Sequence, residues 1–230
     1  MDRDDAKAAI AAFTALVGNP GADLPLDQAA LTLSAVLRPG LEVAHWLGDL
    51  DVLAASCPAG DRDGVIAKLF GAKRFAGDRS TYSDWRNSCL DHVLETGRGI
   101  PITLSVLLIE VARRCGIELV GIGMPAHFLV GDPADPEWFV DPFHGGRMLD
   151  RAGCETLLRN ITRDQVSWRP SHLDPTPNRA IIARMLNNLR AGFGGRGDRV
   201  RLALVMRMRM AMPELRGEQA EAVRALSVLN

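Results

Sequence analysis

Hydrophobic positions recur with two different periods along the chain, and the change of period divides it. Residues 5–17 are rich in helix formers and end at Gly18-Asn19-Pro20, a strong stop. The helical pattern repeats over Leu26–Leu37 and Leu41–Ala55, broken by Pro39-Gly40. It returns over Asp63–Phe75, where Val65, Ile66, Leu69 and Phe70 share a face. A helical layer is therefore expected over residues 1–77.

Asp78–Asn87 reads as a polar loop, and Ser88 with Asp91 three residues on reads as the start of a short helix that ends at Gly97. Thr103–Cys115, closed by Gly116, is apolar around nearly its whole circumference, which predicts a buried axial helix with Thr103 as its N-cap. The period then falls from 3.6 to 2. Leu119–Gly123, Ala126–Val130 and Trp138–Asp141 are expected to be three strands, separated by Met124-Pro125 and by the turn-rich segment 131–136. A helix over Asp150–Arg159 and a proline-containing connector over Ser167–Asn178 follow. Three helical stretches close the chain at Pro177–Ala191, Asp198–Met212 and Gly217–Leu229, the second with Leu202, Met206 and Met210 on one face. Helices followed by a small sheet predict an α+β fold, in three parts: a helical layer over 1–77, a core over 78–166 and a helical segment over 177–230.

Composition narrows the class. The chain has 230 residues, 47 % of them hydrophobic and 24 % charged, as in an ordinary globular protein. No apolar run is long enough for a bilayer span, and the acidic N-terminus lacks the pattern of a secretory signal, so a cytoplasmic protein is expected. Cys57, Cys89, Cys115 and Cys154 stand singly, without the paired spacing of a zinc ribbon or a thioredoxin-type site. The net charge is −1, but residues 178–230 carry ten arginines against Asp198, Glu214, Glu218 and Glu221, a net of +6, which leaves −7 for the rest. Those arginines form no single stripe and have no interleaved aromatics, so a basic segment packed on an acidic body is expected rather than nucleic-acid binding.

Chemistry concentrates after the axial helix. His127 is expected to project from a strand, and Asp141 to end the next; on adjacent antiparallel strands an imidazole and a carboxylate can meet as a general base and its orienter. His144, three residues beyond Asp141, adds a third donor, and two imidazoles with one carboxylate suit zinc or iron.

Four blocks carry a resemblance: Trp85-Arg-Asn-Ser-Cys-Leu-Asp-His-Val-Leu-Glu95, Arg98-Gly-Ile-Pro-Ile-Thr-Leu-Ser-Val106, Gly123-Met-Pro-Ala-His-Phe-Leu-Val130 and Val140-Asp-Pro-Phe-His-Gly-Gly-Arg147. In order and spacing they resemble the SirB-type branch of the transglutaminase-like superfamily, and the C-terminal helices resemble its tetratricopeptide-like segment. The resemblance implies a papain-like core in which a nucleophile at the start of a buried helix faces a histidine and an aspartate. His127 and Asp141 match the latter two. Active members carry Cys at the nucleophile position, whereas this chain has Ile102-Thr103-Leu104. A threonine hydroxyl is far too weak an acid to gain what a cysteine gains from that setting.

The expected function is accordingly a non-catalytic or regulatory module that binds another protein or peptide, with no cofactor and with neither membrane nor nucleic acid as partner. Two alternatives use the same residues. One is an amide hydrolase or acyl transferase in which His127 and Asp141 activate Thr103, a water or Cys89. The other is a metal site at His127, Asp141 and His144.

Overall fold

The computed structural model describes residues 3–21 and 23–218. Four helices come first: α1 (Arg3–Val17), α2 (Leu26–Leu37), α3 (Val43–Ala55) and α4 (Arg62–Phe70). α4 stops five residues before the sequence pattern does. Gly71 ends it, and Ala72 and Lys73 turn the chain at positive φ before Phe75 returns to the core. Two-residue strands β1 (Ala76–Gly77) and β2 (Arg98–Gly99) pair in parallel and pin both ends of the intervening segment. Within it lies α5 (Leu90–Thr96), whose N-cap is Cys89 rather than Ser88, while Gly97 closes it at φ 71° as expected. Asp91 serves no capping box; it is buried and ion-paired with Arg38.

Helix α6 (Pro101–Arg114) is the axis of the fold. Every residue from Pro101 to Ala112 is buried. It begins two residues earlier than its apolar pattern suggests. Pro101 supplies a preset φ and has no N–H to leave unpaired, so Ile100 takes the N-cap position and Thr103 falls within the first turn. The expected capping role of Thr103 is thereby excluded.

The sheet is antiparallel throughout, with the spatial order β6-β5-β4-β3-β7. Its strands are β3 (Val120–Ile122), β4 (Leu129–Asp132), β5 (Asp135–Asp141), β6 (Arg147–Leu149) and β7 (Pro175–Thr176). The last two were not legible in the chain: β6 is three residues long, and β7 is hidden in the proline-containing connector. β5 starts three residues before Trp138, because only Pro133-Ala134 separates β4 from β5. Alternation along the strands covers both faces. Val130 and Val140 join the main core with α6, whereas Leu129 and Phe139 pack with Cys154 and Leu158 of α7 (Arg151–Thr162).

Two further helices complete the described chain, α8 (Asn178–Arg196) and α9 (Arg199–Ala211). α8 runs past the expected end at Ala191 through Gly192, Gly194 and Gly195 to a left-handed stop at Gly197. On α9, Leu202 packs against the core and Met206 is buried, but Met210, the last residue of the expected face, is 38 % exposed; Val205 and Met208 are buried in the core as well. Most of the expected helix over Gly217–Leu229 lies outside the described residues.

Candidate functional site

Local sequence builds the site at the end of the β4–β5 hairpin. Val130 pairs with Val140 and Gly131 with Phe139, a register that, continued, sets Asp141 opposite Leu129. His127 lies two residues before β4, in a turn rather than in the expected strand. Pro125 and Ala126, the latter at φ 60°, bend the chain there, and the His127 N–H donates to the Met124 carbonyl at 3.2 Å. The guanidinium of Arg184 on α8 holds this turn from outside, donating to the carbonyls of Met124 at 2.8 Å and of His127 at 2.7 Å.

Asp141 organises the other side. It caps the 3-10 turn Pro142–His144, with Oδ1 accepting from the His144 N–H at 3.2 Å. Its second oxygen, Oδ2, meets two imidazoles, His127 Nε2 at 2.9 Å and His144 Nδ1 at 2.7 Å. Gly145 and Gly146 follow at φ 74° and 75°. Gly146 turns back against Ile66 and Phe70, where a Cβ would come within 2.9 Å of Ile66, so the chain after His144 is confined.

The expected His127–Asp141 contact therefore forms, and His144 joins it. Phe143 packs edge-on against His127, His144 and the half-exposed Tyr82, making an aromatic wall beside the imidazoles. Gly77 makes room for it: a Cβ there would lie 2.4 Å from the Phe143 ring. Burial opposes ionisation of Asp141, but hydrogen bonding and charge from His127, then from His144, outweigh it and hold the carboxyl below its ordinary pKa. With Nε2 committed to Asp141, His127 has Nδ1 left for a proton, and that nitrogen makes no hydrogen bond among the described residues.

Thr103 does not join the cluster through a hydrogen bond. It is wholly buried, and its hydroxyl has no partner among the described residues. Cys89 is wholly buried as well. Burial and the charge of Asp91 push its thiol far up, opposite to the shift that would make it a nucleophile. Cys154, for which the sequence suggested no role, lies close enough to Asp141 to feel its charge; burial first, then Asp150 and Asp141, push it up to about 12. Sequence reasoning missed Arg184 and Tyr82, which lie 57 and 45 positions from His127 and carry no motif. Phe143 stood inside the Asp-Pro-Phe-His block, so its position was available there.

Residues 50–187 match the model of a protein family described as the transglutaminase-like superfamily. This chain belongs to that superfamily. A UPF0162 protein of Vibrio cholerae is 33 % identical over 192 residues, which cover 79 % of this chain and 70 % of that protein. A UPF0162 protein of Xylella fastidiosa is 41 % identical over 129 residues, 54 % of this chain, and there the match spans about half of the relative's length, 46 %. Mouse F-box only protein 21 is 31 % identical over 105 residues, 42 % of this chain and 17 % of that protein. No solved structure gives a significant match. The fold is the expected α+β arrangement of a transglutaminase-like domain, with a buried helix packed on a small antiparallel sheet. Among the described residues no helix is long and apolar enough to cross a membrane.

Proposed function

We propose that this transglutaminase-like domain is a non-catalytic module that binds another protein or peptide, of the SirB type and working in the cytoplasm. Its parts would be a helical layer over 1–77, the core over 78–166 and a tetratricopeptide-like segment over 177–230. The burial of Thr103 carries this reading. A nucleophile must reach its substrate, and the hydroxyl at the family's nucleophile position is sealed in the first turn of α6 with no base bonded to it. Cys89 offers no substitute, being buried with its thiol held protonated.

Two observations support the binding half. The matched stretch makes up only 17 % of an F-box protein, as befits a module used in more than one context. An open groove of about 1020 Å³ runs between α1, α2 and α3, lined by Ala8, Ala12, Leu16, Leu41 and Leu47 among others. Small side chains leave room there for an incoming apolar segment.

The test has two arms. Purified protein should turn over neither model amides nor acyl donors, and under native conditions alkylation should spare Cys89 and Cys154 while reaching half-exposed Cys57. A partner identified by cross-linking should bind again from purified components and lose binding to Ala12→Arg at unchanged melting temperature. The hydrolase or transferase reading, favoured by the His127–Asp141 bond, wins instead if amide turnover appears and vanishes in both His127→Ala and Asp141→Asn.

A further inference from the structure

The carboxylate of Asp141 has an unusual counter-charge. It is 1 % exposed, yet among the described residues no arginine or lysine pairs with it; its ionic partners are His127 and His144. A neutral imidazole offers a hydrogen bond but no positive charge, so a buried anion faced only by imidazoles gains from any cation that can enter. The three side chains also converge. One ligand atom from each of His127, Asp141 and His144 lies within 4.8 Å of the others.

From this the geometry points to a divalent transition-metal site formed by His127 Nε2, Asp141 Oδ2 and His144 Nδ1, selective for zinc-class ions. Two imidazole nitrogens and one carboxylate oxygen are a borderline-soft donor set, suited to zinc, cobalt or iron and poor for calcium or magnesium. To ligate the ion, the two ring nitrogens now donating to one carboxylate oxygen would give up that proton, each ring moving it to its other nitrogen or releasing it, and would turn the freed lone pair to the ion. Bond lengths of about 2.0–2.2 Å place tetrahedral ligand atoms roughly 3.3 Å apart. Asp141 Oδ2 now stands 2.9 and 2.7 Å from the two nitrogens, and all three atoms lie within 4.8 Å of one another, so the carboxylate would withdraw by a few tenths of an ångström while the two imidazoles close toward each other.

The second sphere is partly built. The remaining oxygen of Asp141 is held by the His144 N–H, and the His127 turn by Arg184. Access comes from the His144 side, where that side chain is 31 % exposed. Three protein ligands leave a position for water or a partner's donor atom, as in open rather than closed zinc sites. The inference does not rest on the protein-binding reading, and either can fail alone.

The full chain, without an affinity tag and after dialysis against a chelator, is titrated with Zn²⁺ by calorimetry and with Co²⁺ by visible absorption. One ion per chain should bind, with the intense Co²⁺ bands of a tetrahedral site. His144→Ala should weaken binding by at least about tenfold, as should His127→Ala, while His172→Ala leaves it unchanged. His144 is half-buried and ends a turn, so its variant should fold with a near wild-type melting temperature and decides the matter even if His127→Ala does not fold. Absence of saturable binding would overturn the proposal, and so would binding that both site variants leave unchanged.

Discussion

Two clusters of buried ionisable groups solve the same problem differently. Between α2 and α6, Asp27 and Glu110 are buried together, and Arg113 and Arg114 bond both: Arg114 reaches Asp27 at 2.7 Å and Glu110 at 2.9 Å, Arg113 reaches them at 3.1 and 2.8 Å. Two permanent cations answer two anions, and Asp51 adds a bond to Arg114 at 2.7 Å from the surface. Burial raises Glu110, helped by the charge of Asp27, while Asp27 itself is held low against burial by Arg114 and the Gln28 N–H. At the hairpin end, Asp141 is as deeply buried, but its partners are imidazoles, whose charge is conditional. A cluster whose anions are answered by permanent cations serves stability, since it needs no proton or ion to balance its charge. A conditionally neutralised one responds to a proton or an ion, which marks it as the functional candidate.

The comparison is broken most severely from the structural side. Arg114→Ala should leave two buried carboxylates short of a cation and destabilise the fold by about 3–5 kcal/mol, read as a lower urea midpoint at unchanged slope. A loss near that of a surface ion pair would show that the cluster relaxes into water, and the contrast with the hairpin site would weaken.

Asp141→Asn comes next, with an expected loss of about 1–3 kcal/mol at neutral pH. Its pH dependence sharpens the contrast. A carboxyl held below its ordinary pKa contributes stability that is present above about pH 4 and is lost as pH falls through the folded value. Thermal melts of wild type and Asp141→Asn should therefore differ at neutral pH and converge in acid. Parallel curves down to about pH 3 would mean that the charge of Asp141 is not what the fold feels.

Arg184→Met should cost less, about 1–2 kcal/mol, because the carbonyls of Met124 and His127 lose a donor at a partly solvated edge. The sharper readout is the His127 ring, whose nitrogen NMR signals should broaden or shift if Arg184 positions the turn. Thr103→Val is the smallest expected effect. Replacing a buried hydroxyl without a partner by a methyl of similar shape should be neutral or stabilising by up to about 1 kcal/mol. A clear destabilisation would reveal a hydrogen bond to Thr103 and reopen its candidacy as a reactive group.

Much of the architecture could be read from local pattern. α2 matches its expected span at both ends, α1 and α9 within two residues, and the nearly continuous apolar wheel of α6 predicted its burial. The failures have local causes that a hydrophobic pattern does not register. Pro101 starts α6 early, Gly71 ends α4 early, and three glycines fail to end α8 because helix packing around Phe193 outweighs their propensity. Strands β6 and β7 are too short for a period and exist because β5 and β3 offer edges to pair with.

At the site the division is similar. The order of the blocks, with His127, Asp141 and His144 in them and no cysteine at the nucleophile position, is a property of the chain alone. Whether an imidazole meets a carboxylate, and which nitrogen it uses, depends on strand register and on a turn braced from α8. Those are decided by contacts between residues far apart in sequence. Burial likewise belongs to the folded state: Thr103 and Asp141 are both polar residues beside apolar ones. Only packing left the first without a partner and gave the second two imidazoles, because the strength of a polar group inside a protein is set by the groups that replace its water.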